Sequence, residues 1–216
     1  MDINSVCGVK NIKIVFDEAN HNSILTKSRT FAEQMSKKEQ SIDYYKSERD
    51  AIKPKKDTII GKIGECYTYY YLTRSCNFPT IMLDKIFDVR CGSDKGWEID
   101  LCFNDRNSLF PNVHVKTCTD FTVGVCDDFS WTFQWKNLHM KGGKDDIFKE
   151  SSSNDLVSFV YTPNINSHYA FIKAILPVSI LNDYFKQPVI NRYKKTKKCI
   201  YYRDLIENEE HITHCS

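Results

Sequence analysis

Two short segments with strict two-residue alternation constrain this chain more than any other feature. The first is Trp97-Glu98-Ile99-Asp100-Leu101-Cys102-Phe103, and the second is Asn112-Val113-His114-Val115-Lys116-Thr117-Cys118. Successive side chains of a strand point to opposite faces, so a period of two marks a strand with two unlike faces. Trp97, Ile99, Leu101 and Phe103 fall on one face, with Val113, Val115 and Thr117 as their counterparts. Glu98, Asp100, His114 and Lys116 fall on the other. The connection, residues 104–111, is rich in turn formers. Paired strands would bring carboxylates, an imidazole and an ammonium together on one sheet face.

The apolar face needs a core, and the rest of the chain supplies candidate elements. Residues 9–17 read as a strand with Ile12, Ile14 and Phe16 on one side. Residues 28–52 read as a helix through Phe31, Met35, Ile42 and Tyr45, ended by Pro54. A second helix is expected from Asp57 or Thr58 to about Thr73, with the stripe Ile59, Ile63, Tyr67, Tyr70 and Tyr71. Further strands are expected near 81–89, 121–126, 130–135, 155–162, 168–175 and 199–202. A polar loop is expected at 141–154 and a short helix at 177–185. Helices surrounding several strands predict one α/β or α+β domain with a mixed central sheet flanked by helices.

A length of 216 residues suits such a domain. No apolar run reaches bilayer-spanning length, so no membrane partner is expected. The N-terminus lacks the basic and apolar regions of a signal peptide. Nine cysteines, irregularly spaced and without a C-x-x-C pair, predict reduced thiols in a cytoplasmic setting. Zinc bound by His114, Cys118 and Cys126 lacks the paired-ligand spacing of structural sites. A net charge of +2 announces no polyanionic partner for the molecule as a whole. The basic residues are locally clustered, however. Lys53, Lys55 and Lys56 precede the second helix, and Lys194, Lys195, Lys197 and Lys198 lie near the C-terminus. Either cluster suits phosphate contacts, and either suits a solvated loop.

Asp100 and Lys116 on adjacent strands suggest hydrolysis of a phosphodiester. Carboxylates suit a hard divalent cation, which neutralises phosphate charge. A lysine beside it stabilises the charged transition state. The same two residues would also make an ordinary cross-strand ion pair on a solvated face. Glu65 and its glycines, in Gly61-Lys62-Ile63-Gly64-Glu65, point independently to a site. Glycine inside a helix costs about 1 kcal/mol relative to alanine, which suggests close backbone approach beside Glu65.

An acid on a helix, then Glu98-Ile99-Asp100 on one strand and His114-Val115-Lys116 on the next, resembles the PD-(D/E)xK nuclease superfamily. The resemblance covers residues 57 to about 135 and implies a restriction-endonuclease-like core over 57–206. A strand and helical extension over 1–56 would precede it, and a tail over 207–216 would follow. By this resemblance Asp100 is the central metal ligand and Lys116 the catalytic lysine. Glu65 reaches the metal directly or through water, and the Val115 carbonyl offers a backbone oxygen. His114 stands where the family usually has an acid, a nitrogen ligand better suited to Mn²⁺ than to Mg²⁺. Glu98 is a further candidate ligand, and Gln134 matches a polar position of some members.

The resemblance implies a DNA endonuclease using Mg²⁺ or Mn²⁺, with RNA a less favoured substrate and a homodimer compatible. Lys194, Lys195, Lys197 and Lys198 are its candidate DNA contacts. The alternative, which His114 supports, is a nuclease-like module that binds nucleic acid or protein without cutting. An unrelated α/β interaction protein would hold Glu65 far from Asp100.

Overall fold

The computed structural model describes residues 5–40, 53–81, 83–88, 100–103, 110–134, 155–184, 186–190 and 196–207. The first strand, β1 (Gly8–Val15), is followed by helix α1 (Glu18–Gln40). The helix begins ten residues earlier than its apolar spacing predicts, because Asp17 caps it. The Asn20 backbone N–H donates to Asp17 Oδ1 at 2.8 Å, satisfying one of the orphan donors of a helix start. Residues 41–52, the rest of the predicted helix, lie outside the described residues.

Helix α2 (Lys53–Ser75) also starts earlier than expected. Pro54 sits in the first turn of this helix, where a missing N–H leaves no hydrogen bond broken. The predicted stripe of Ile59, Ile63, Tyr67, Tyr70 and Tyr71 packs into one core with Ile12, Ile14 and Phe16 of the N-terminal segment. Leu101, Phe103, Val113 and Val115 join the same core, so the apolar face of the alternating segments is the face α2 covers.

Part of the predicted strand at 81–89 is instead a short helix, α3 (Leu83–Ile86). Strand β2 (Val113–Cys118) follows, preceded by an antiparallel bridge between Leu101 and Val113. Residues 97–99 lie outside the described residues. The predicted strand at 121–126 is helix α4 (Asp120–Cys126). Its β-favouring Phe121, Thr122, Val123 and Val125 are overruled by end signals. Thr119 is extended at the N-cap, and Asp127 adopts the left-handed conformation at φ 54° that closes a helix.

The remaining strands are β3 (Ser130–Gln134), β4 (Leu156–Tyr161), β5 (Tyr169–Pro177), β6 (Lys186–Ile190) and β7 (Thr196–Tyr201). Helix α5 (Leu181–Tyr184) and helix α6 (Tyr202–Glu207) complete the order. One mixed sheet runs β1-β5-β4-β2, with β2 parallel to β4 and the other pairs antiparallel. A second, antiparallel sheet runs β3-β7-β6. It covers the other face of the first sheet: Trp131, Phe133 and Ile200 pack on Val157, Phe159, Ala174 and Leu176. Trp131 is buried and donates its indole N–H to the Val160 carbonyl at 2.9 Å, a core role. The architecture is a mixed α/β arrangement: α1 and α2 on one face of a mixed open sheet, a small sheet on the other. No helix among the described residues is long and apolar enough to cross a membrane. Cys7, Cys66, Cys76, Cys102, Cys118, Cys126 and Cys199 are free thiols.

Candidate active site

Helix α2 approaches β2 where Gly64 meets Thr117. A Cβ on Gly64 would lie 2.0 Å from Thr117 Oγ1, so only glycine fits at this crossing. Gly61 has nothing within 4 Å of the corresponding position, so the close approach expected of both glycines belongs to Gly64 alone. The next residue along the helix is Glu65, which is buried.

Asp100 stands where the strand pairing of Leu101 with Val113 ends. Its Oδ2 accepts the Val115 backbone N–H at 2.6 Å. The carboxylate thus takes the place of a strand carbonyl and is fixed to β2 by a short, charge-assisted bond. The Val115 side chain packs into the core shared with α2. Lys116, on the opposite face of β2, is half-buried with its ammonium 5.4 Å from the centre of the Phe133 ring.

The charges of Asp100 and Lys116 both act on Glu65. The Glu65 carboxyl is pushed up from 4.5 to about 8, chiefly by burial and also by the Asp100 charge, against the pull of Lys62 and Lys116. Lys62 is the group that spacing alone did not single out. Its Nζ donates to Glu65 Oε2 at 2.6 Å, and the ammonium also lies 4.4 Å from the centre of the Phe31 ring on α1. A lysine three residues before a glutamate on one helix was the available signal.

The other predicted residues fall as follows. His114 is buried, with its Cα opposite Val157 of β4. Among the described residues no three His, Cys, Asp or Glu side chains converge into a metal-holding group. His114 therefore does not complete such a set with Glu65 and Asp100, nor with Cys118 and Cys126. The Cys118 thiol is pushed up to about 12 by burial and stays protonated. Gln134 ends β3 opposite Lys197 of β7, and Lys198 pairs with Phe133. Glu98, Lys194 and Lys195 lie outside the described residues.

No protein-family model, no curated protein and no solved structure matches this chain.

Proposed function

We propose that this protein is a metal-dependent nuclease of the PD-(D/E)xK type that hydrolyses phosphodiester bonds in DNA. One arrangement carries the reading: the buried Glu65 of helix α2 lies within electrostatic reach of Asp100 and Lys116, and Asp100 is bonded to the Val115 N–H of the lysine strand. The element order supports it too. Helix α2 is followed by the short α3, an antiparallel strand contact, the lysine strand β2, helix α4, strand β3 and then β4, which runs parallel to β2.

A divalent cation fits these donors. Carboxyl oxygens suit a hard cation, and a cation here would relieve the burial and the Asp100 charge that together raise Glu65. Glu65, Asp100 and the Val115 carbonyl are the oxygens that would hold Mg²⁺ or Mn²⁺. When bound, the cation neutralises phosphate charge and acidifies a water. The chain's own residues do the rest. Asp100 is held to β2 by the Val115 N–H, which preserves its aim when charge develops. Lys116 brings a positive charge to the pentacovalent phosphate and to the attacking oxygen. Phe133 lies against the Lys116 ammonium and limits its swing.

A second reading, a nuclease-like module that binds nucleic acid or protein without cutting, is favoured by His114. It stands buried where the resembled family has an acidic oxygen ligand. The two readings separate in one assay. Supercoiled, linear duplex and single-stranded DNA are incubated with Mg²⁺ or Mn²⁺ and with wild type or Lys116→Ala. Metal-dependent cutting that the variant loses supports the nuclease. Cutting that persists in the variant sinks the mechanism, and DNA binding without cutting on any substrate supports the module.

A further inference from the structure

We propose that Lys62 is the resident partner of the Glu65 carboxyl, holding the place of a divalent cation and leaving Glu65 when that cation binds. The inference deepens the metal-dependent reading above and rests on it.

A lysine–glutamate pair three residues apart on an exposed helix contributes little and exchanges freely with water. The pair here is different. The Lys62 and Glu65 side chains are only 14% and 8% exposed, and their atoms meet at 2.6 Å. Phe31 closes another side of the ammonium at 4.4 Å from its ring centre. The pair is thus held within packed surroundings, where charge balance matters more than it does in water.

The balance can be counted. Once Glu65 has given up its proton, as a metal ligand must, Glu65 and Asp100 bring two negative charges, and Lys62 and Lys116 bring two positive ones. The four groups are formally neutral without a metal. A divalent cation added to an unchanged set leaves two positive charges in a buried space, which is costly unless an ammonium departs. Lys116 belongs to the opposite face of its strand, against Phe133. Lys62 is bonded directly to a carboxylate oxygen that the cation needs. Its flexible four-carbon stem lets the ammonium move to solvent or to a phosphate without moving the helix. Lys62 is the group that exchanges.

The test reads Lys62 itself. The full-length protein is treated with an amine-acylating reagent, with and without Mg²⁺, and acylation at each lysine is measured by mass spectrometry. Calorimetry follows Mg²⁺ binding in wild type and Asp100→Asn, whose amide oxygen can still accept the Val115 N–H. Lys62 acylation should rise about fivefold or more with Mg²⁺ in wild type and stay unchanged in Asp100→Asn. Asp100-dependent Mg²⁺ binding with unchanged Lys62 acylation overturns this inference and leaves the nuclease reading intact. Absence of any Asp100-dependent binding of Mg²⁺ or Mn²⁺ overturns both.

Discussion

Gly64 on α2 and Thr117 on β2 meet without room for a methyl group, since a Cβ at Gly64 would lie 2.0 Å from Thr117 Oγ1. This contact sets how closely the helix bearing Glu65 approaches the strand bearing Lys116. Thr117 Oγ1 is buried there without a hydrogen-bond partner. A buried hydroxyl left unbonded costs about 1–3 kcal/mol, so close packing is achieved at some loss elsewhere.

Gly64→Ala should therefore destabilise the fold by about 1–3 kcal/mol through overpacking. Gly61→Ala should be neutral or stabilising by up to about 1 kcal/mol, because its position is open and alanine favours helix. Urea denaturation of the two variants checks the contrast. Adding Thr117→Ala to Gly64→Ala should recover part of the loss by removing the clashing hydroxyl.

Stability should fall as pH rises from about 4.5 to about 8, the range over which Glu65 is shifted. In that window the folded Glu65 keeps its proton while the unfolded carboxyl has lost it, so folding takes up a proton and is opposed by rising pH. Glu65→Gln should flatten this dependence in denaturation curves taken across the window. An equally steep dependence in the variant would assign it to other groups.

Lys116→Ala should lower DNA cleavage by about 10²–10³-fold, the loss typical when a charge-stabilising group is removed from a transition state. Its effect on folding should be small, about 0.5–1 kcal/mol, from the lost contact with Phe133. Parallel cleavage and denaturation measurements separate the two. A large stability loss would make Lys116 a structural residue instead.

Away from the site, Lys173 is a buried ammonium with rings on several sides. The Phe129 ring centre lies at 4.0 Å and that of Tyr202 at 4.8 Å. Its Nζ donates to Asn11 Oδ1 at 2.8 Å. Asn11 sits in the irregularity of β1 at a φ of 57°, a conformation asparagine tolerates better than most residues. Asn11→Ala should cost about 2–3 kcal/mol by losing a bond to a charged group and straining the backbone. Asn11→Gly should cost less, because only the bond is lost. Thermal or chemical denaturation would reveal equal losses if backbone strain played no part.

Local pattern carried much of this protein. The period of two in residues 112–118 identified β2 and the face that α2 covers. The stripe from Ile59 to Tyr71 identified the buried side of α2. Local pattern failed where end signals competed with propensity. Asp17 starts α1 well before the apolar spacing suggests, and Asp127 in the left-handed conformation closes a β-favouring run as α4.

Residue order along the chain was enough to put Glu65, Asp100, His114 and Lys116 forward together, because each lies on an element whose period names its face. Distances between elements are not written in any period. Only packing decided that Gly64 and not Gly61 touches β2, that a second sheet covers the His114 and Lys116 face, and that Lys62 pairs with Glu65 inside the protein. Side-chain alternation depends on the local backbone alone. The contacts between α2 and β2, and the charges they bring together, depend on how all the layers close around a shared core.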